Sequence, residues 1–571
     1  MKKFKIRLTV TLLLLSVSLL WSWRKTDHQK LSYPRPAPLP MSVCGSFSFK
    51  WSDTSALARP KIMDGLGNLH YQVSTKSPKA LAFFEQGLRL VYGFNHWEAI
   101  QAFRESVRLD PDFAMGHWGL ALAFGPNLND WNPVDRERIA YESIQVARRY
   151  ASKASGLEKD FIEALATRYD GKAHDVRDSL NAAYANAMKA LAVKYPNDHE
   201  VQTLYADAIM NTMPWDYWEA DHTPKPATRD ARKVLENVIT KFPDHAGAHH
   251  LYIHLMEASP TPEVATKSAR FLETAMPGAG HIVHMPAHIY FRTGEYAKGV
   301  DLNIVASRVD EDYVARSANQ GMYRQSYYPH NVDFVSYGSY MDGRSILALQ
   351  TAMKLAYKSN FSGPTSEYFL AEPMVAYTRF GKWTDILSLP DPGTRVMLAQ
   401  ILWRFSRGLA LLRSGYTSEA RNELAKLDSL NKLDTLKSLY ITFNPVSNAA
   451  EISAGVLRGE LLMKEKKFDE AIQSLQEAVK VEDGMRYTEP PDWKLPARHY
   501  LGAALLNAGK FDEAEKVYTE DLMINRENGW SLTGLREAQL KRGRKAEADA
   551  TAKRLAKTWK NADISITSSR Y

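Results

Sequence analysis

A frame of about 34 residues recurs along this chain and restricts its fold more than any other feature. Ala80–Phe113 (ALAFFEQGLRLVYGFNHWEAIQAFRESVRLDPDF) is 34 residues long, with Gly87, Ala99 and Phe103 inside it and Asp110-Pro111 closing it. The frame returns in TGEYAKGV with Gly294, SGYTSEARNEL with Gly415 and Ala420, KKFDEAIQSLQEAV with Ala471, and GKFDEAEKVY with Gly509 and Ala514. KYPND and KFPDH read as further repeat ends. Two helices this short cannot bury an apolar face alone, so successive copies must stack. Small residues fall where helices approach most closely, and aromatic residues fill the gaps between them. An irregular helical protein would not carry several copies of one frame.

The spacing is that of the tetratricopeptide repeat. The expected fold is all-α, a right-handed tetratricopeptide-type α-solenoid with a concave inner face. At 571 residues the chain exceeds what one compact core supports. The expected segments are 1–25 (signal peptide or membrane anchor), 26–65 (extended linker), 66–245 (N-terminal repeats), 246–345 (histidine-rich central repeats), 346–562 (C-terminal repeats) and 563–571 (tail).

Lys2, Lys3, Lys5 and Arg7 precede an apolar run, TVTLLLLSVSLLW, in the layout of an export signal. No small-residue cleavage site follows, so an uncleaved inner-membrane anchor is the alternative, and the membrane is expected to be touched only through this segment. YPRPAPLP then reads as part of a tether. The rest of the chain is expected outside the cytoplasm, in the periplasm or anchored facing it.

The net charge of +8 sits partly in that N-terminal segment, and no Lys/Arg block is interleaved with aromatics, so nucleic acid is not expected as a partner. The single cysteine, Cys44, excludes an intramolecular disulfide and every cysteine-rich metal site. A metal ion would have to use His, Asp or Glu. There is no Gly-rich phosphate loop and no G-x-S-x-G nucleophile motif.

Nine of the 16 histidines lie between His222 and His330, six of them within Ala246–Tyr296. In such repeats the first helix lines the concave face at about positions 2, 5, 9 and 12. Registering on Ala265 puts His250, His254 and Glu257 at positions 5, 9 and 12. Registering on Gly294 puts His281, His284 and His288 at 2, 5 and 9, and registering on Gly343 puts His330 at 2 and Asp333 at 5. Pro286 removes a helical N–H, so His281 and His284 are expected on a loop entering the helix.

The candidate metal ligands are therefore His250, His254, Glu257, His281, His284, His288 and His330. Seven groups exceed one tetrahedral site, so two ions bind or some groups act on substrate. Three histidines per metal would suit a dinuclear copper arrangement, though zinc and iron are equally compatible. Two other readings stand beside this one. The stripe could bind a peptide, partner protein or small-molecule ligand in the concave groove, or a histidine could act as a metal-free general base. His96 is expected to be a packing residue, and the role of His70 is open. PWDYWEAD and YTEPPDWKLPARHYLG are candidate groove walls or Trp-packed turns.

FNHWEAIQAF, GLALAFGPNLN, LYADAIMNTMPWDYW, HHLYIHLMEASP, GAGHIVHMPAHIY, YYPHNVDF, EPPDWKLPARHYLG and ENGWSLTGL span roughly Leu66 to Trp559. With these motifs the chain resembles a family of exported or membrane-associated bacterial tetratricopeptide-repeat proteins without an established activity. The resemblance implies a shared site at His250, His254, His281, His284, His288 and His330, with His249 outside it.

Overall fold

Gly87 shows how the repeats close. A Cβ there would lie 2.7 Å from the Phe103 ring, and one at Gly119 would lie 2.3 Å from the same ring. Helices Pro78–Tyr92, His96–Leu109 and Ala114–Phe124 therefore pack around one phenylalanine, at distances only glycine permits. Where one helix of a pair ends and the next begins, Gly294 and Gly343 adopt φ of +83° and +79°, the left-handed turn that ends a helix.

The computed structural model describes residues 59–571 apart from 131–133, 175, 220, 318–322, 359–363 and 394. The proposed export segment, most of the linker and Cys44 lie outside the described residues. All the described residues belong to one unit, Cys44–Tyr571. Their regular structure is helical, with isolated bridges and no named strand, in an all-α tetratricopeptide-type array. No helix among them is long and apolar enough to cross a membrane.

Two hydrophobic cores run along the array, one from Leu66 to Tyr327 and the other from Ala287 to Ala538. They meet where the histidines are densest, with Ala287 in one core and Ile289 in the other.

The C-terminal repeats turn back onto this middle region. The Trp530 indole donates to the Tyr340 carbonyl at 2.6 Å, and Trp559 donates to the Met341 carbonyl at 3.1 Å. The Asp563 carboxylate accepts the N–H groups of Ser345 and Ile346, capping the helix Ser345–Lys358. The Tyr487 hydroxyl reaches Glu257 at 3.3 Å, and Lys494 pairs with Asp333 and Glu372. The chain's own C-terminal part thus covers the face that the sequence assigns to an open groove.

Candidate metal centre

The first histidines stand on the helix Ala246–Met256, whose i, i+4 spacing puts His250 and His254 on one side. The second group follows in Gly280–His284 and Pro286–Thr293. Met285 between them is itself helical, with φ −52° and ψ −36°. Pro286 therefore interrupts the hydrogen bonding without ending the helical path. The expectation of an entering loop is corrected: His281, His284 and His288 share one helical face.

The imidazoles sort into two groups of three. The ligand atoms of His250, His254 and His281 lie within 4.8 Å of one another, as do those of His284, His288 and His330. The groups adjoin, with the rings of His281 and His284 5.7 Å apart and those of His254 and His288 5.8 Å apart. All but His330, which is partly exposed, are at most 2% accessible, so they do not line an open concave face as expected.

What each outer ring nitrogen bonds to decides where the inner one points. His250 Nδ1 donates to the Tyr92 carbonyl at 2.6 Å, which can only accept. His254 Nδ1 donates to Glu257 at 2.9 Å, and His288 Nδ1 donates to the other oxygen of the same carboxylate. His284 Nδ1 donates at 2.7 Å to Asn303 Oδ1, whose orientation is set by Asn303 Nδ2 donating to the Gly299 carbonyl. Each of these four rings therefore carries a proton on Nδ1, and in its neutral form a lone pair on Nε2.

Those lone pairs have little to meet. Among the described residues, His250 Nε2, His254 Nε2 and both nitrogens of His281 lack a hydrogen-bond partner. His284 Nε2 and His288 Nε2 face each other at 2.8 Å. Two lone pairs at that distance repel unless a cation, a shared proton or a metal ion, lies beside both. Burial, reinforced by the neighbouring imidazoles, holds His250, His281 and His284 well below the usual histidine range. Burial likewise brings His330 down to about 3. Neutral imidazoles with converging lone pairs are the form that binds a transition metal.

Glu257, expected among the ligands, lies between the two groups and anchors a histidine of each. Its two oxygens are engaged by one histidine from each group. Burial opposes its charge, but His288 and the hydrogen bonds from His254 and His288 outweigh that and hold it at about 2. Asp333, also expected beside the histidines, is turned to Lys494 instead.

Each group rests on its own phenylalanine. Phe94 lies 4.4 Å from the ring of His250 and is stacked on His254 and His281, while Phe334 lies 4.4 Å from His284 and 4.7 Å from His288. Trp215 closes the first group at 5.2 Å from His254. Phe94 and Trp215 both have left-handed backbones, with φ of 54° and 60°. That costs a non-glycine residue about 1–2 kcal/mol and is held where the surroundings demand it.

Several other described histidines have partners. His249 bonds Ser268 and the Pro243 carbonyl, and His96 bonds the Ala123 carbonyl and Asn127. His70 meets Glu85 from a largely exposed position. His199, Glu200 and His245 also cluster within 4.8 Å. There, however, His245 Nδ1 accepts the Ala248 N–H, so its Nε2 carries the proton and donates to Glu200. This cluster instead supports Tyr92, whose hydroxyl donates to Glu200 and whose carbonyl orients His250. Sequence reasoning missed Tyr92, Phe94 and Asn303; FNHWEA pointed to the region but only as packing around His96.

A tetratricopeptide-repeat family profile matches residues 456–483. No curated protein matches the chain in sequence. Among solved structures, the chain is similar to the human IFIT1 dimer with m7Gppp-AAAA at 12% identity and TM-score 0.30, covering 85% of this chain and 90% of that one. It is also similar to the human IFIT1 dimer with PPP-AAAA at 11% identity and TM-score 0.29, covering 85% and 91%.

Proposed function

We propose that this protein is a metalloprotein holding two transition-metal ions, one on His250, His254 and His281 and one on His284, His288 and His330. The observation that carries this reading is the 2.8 Å approach of His284 Nε2 to His288 Nε2 while both Nδ1 atoms are engaged by acceptors. Metal–nitrogen bonds of about 2.0–2.1 Å put tetrahedral ligand nitrogens about 3.3 Å apart, so each group needs only small side-chain adjustments. An all-imidazole set suits zinc, copper or iron and disfavours calcium and magnesium.

Bound there, a pair of such ions would supply Lewis acidity or electron transfer. The protein's part is to fix the tautomers through Tyr92, Glu257 and Asn303 and to keep bulk water out with Phe94 and Phe334. Burial restricts access to small molecules, so the reading is an oxidase or hydrolase of a small substrate. Peptide or partner-protein binding through these histidines loses support from their burial; a groove elsewhere on the repeats remains open to such a ligand. The expectation against nucleic acid rests on the charge pattern of the sequence alone. Export, or anchoring in the inner membrane of a bacterium, rests on residues 1–25 and on the motif resemblance.

The test is elemental analysis of the full chain, purified without a histidine tag, beside a His254→Ala/His284→Ala variant. About two equivalents of one transition metal in the wild type and none in the variant support the reading. A wild-type protein that stays metal-free after incubation with zinc, copper and iron sinks it.

A further inference from the structure

Residues 564–571, read from the sequence as part of a tail, lie outside any helix and thread through the C-terminal repeats. Asp563, which caps the helix Ser345–Lys358, fixes where they start. Ile564 and Ile566 turn against the second core while Ser565 and Thr567 face solvent. Ser569 is completely buried: its hydroxyl donates to the His499 carbonyl at 2.6 Å and accepts from Tyr518 at 2.8 Å. Arg570 donates to the buried Glu460 carboxylate at 2.9 Å. The Tyr571 ring stands edge-on to Trp530 at 5.8 Å, and the Tyr571 carbonyl accepts twice from Arg413, at 3.1 and 3.2 Å.

Arg413, Glu460, His499 and Trp530 stand on Met397–Arg413, Val446–Lys464, Ala497–Asn507 and Gly529–Lys541, the first helices of four successive pairs. First helices line the inner face of such an array, so the segment occupies the groove of the C-terminal repeats as a bound peptide would. The groove is also complete without it. Glu460 pairs with Arg413 as well as with Arg570, Trp530 donates its N–H to the Tyr340 carbonyl, and the His499 ring bonds Asp521 and Arg379. Departure of the segment exposes the Tyr518 hydroxyl, the His499 carbonyl and the Arg413 N–H groups to water, which hydrogen-bonds them instead.

We propose that the inner groove of the C-terminal repeats is a peptide-binding site, filled in cis by residues 564–571 and open to a partner protein's segment of the same chemistry. That chemistry is aliphatic side chains at alternate positions, followed by a small hydroxyl, a basic and an aromatic residue. Glu460 selects the basic side chain, Trp530 the aromatic ring, and the complete burial of Ser569 keeps its position small. A short tether holds the cis segment at an effective concentration on the order of mM, so a free peptide competes with it at a disadvantage. The inference rests on the C-terminal repeats and is independent of the histidine centre.

Fluorescence-anisotropy titration of the full chain with labelled ISITSSRY, the sequence of residues 564–571, tests it. The Arg570→Glu/Tyr571→Ala variant sets a like charge against Glu460 and removes the ring, which releases its own segment. It should bind one equivalent of ISITSSRY, the wild type should bind it about tenfold or more weakly, and the peptide ISITSSEA should bind neither. Ser569→Ala removes only the two hydrogen bonds of the hydroxyl and should bind ISITSSRY with intermediate affinity, which keeps the test alive if the double variant fails to fold. No saturable binding to the two variants, wild-type affinity equal to theirs, or ISITSSEA binding as tightly as ISITSSRY would each overturn the proposal.

Discussion

Helices Val446–Lys464 and Phe468–Asp483 and the helical stretch from Ala246 to Thr293 are built on one repeat pattern, but their interiors differ in kind. The first pair closes over Leu457, Leu461 and Leu475, apolar side chains that need no partner. The second points imidazoles inward. A buried histidine is not foreign to the C-terminal repeats: His499 is fully buried, with Nε2 on Asp521 at 3.1 Å and Nδ1 accepting from Arg379 at 2.9 Å. His281 is buried to a similar degree with neither nitrogen bonded among the described residues. The difference teaches that burial alone does not mark a functional histidine. Unused lone pairs with their tautomers already set do.

The largest effects should come from dividing the two histidine groups. His281→Ala and His330→Ala should each lower metal content by one equivalent, to about half the wild-type value. Elemental analysis that finds both ions lost from either variant would mean one cooperative site.

A sharper contrast lies between His499 and His281 in metal-free protein. His499→Leu removes the acceptor of Arg379 and a donor to Asp521, and should cost about 3 kcal/mol in urea unfolding. His281→Leu strips no group of a partner and should change stability by less than about 1 kcal/mol, or raise it. Equal losses would show that His281 has an ordinary structural role.

Glu257→Ala should leave the stoichiometry at two while weakening metal affinity by about 10–100-fold, measured by chelator competition. Loss of a full equivalent would make Glu257 a ligand.

The smallest effect is on pH dependence. His250, His281 and His284 are held well below 6.5 by burial. In the unfolded chain each takes up a proton near 6.5, so below that pH the unfolded state binds more protons and acid destabilises the metal-free fold. Each histidine contributes about 1.4 kcal/mol per pH unit in that window and nothing above it. Unfolding of His281→Phe between about pH 6.5 and 5 should show the slope reduced by one such share.

The repeat period, the all-α class and the gathering of His250, His254, His281, His284, His288 and His330 were legible in the sequence, because each follows from spacing within a repeat and from the stacking of neighbouring repeats in one register. The turn glycines and the i, i+4 histidine spacing are local properties, and local geometry carries them. Tertiary structure alone decided the rest. The division into two groups of three, the bridging of both groups by Glu257 and the diversion of Asp333 to Lys494 depend on partners far away in the chain. Tyr92 lies 158 residues before His250, and Lys494 lies 161 residues after Asp333. Burial of the centre follows from the return of the C-terminal repeats, which no local period encodes. A ring nitrogen can bind a metal only when the opposite nitrogen holds the proton, and that is settled by whichever carbonyl or carboxylate the fold brings against it.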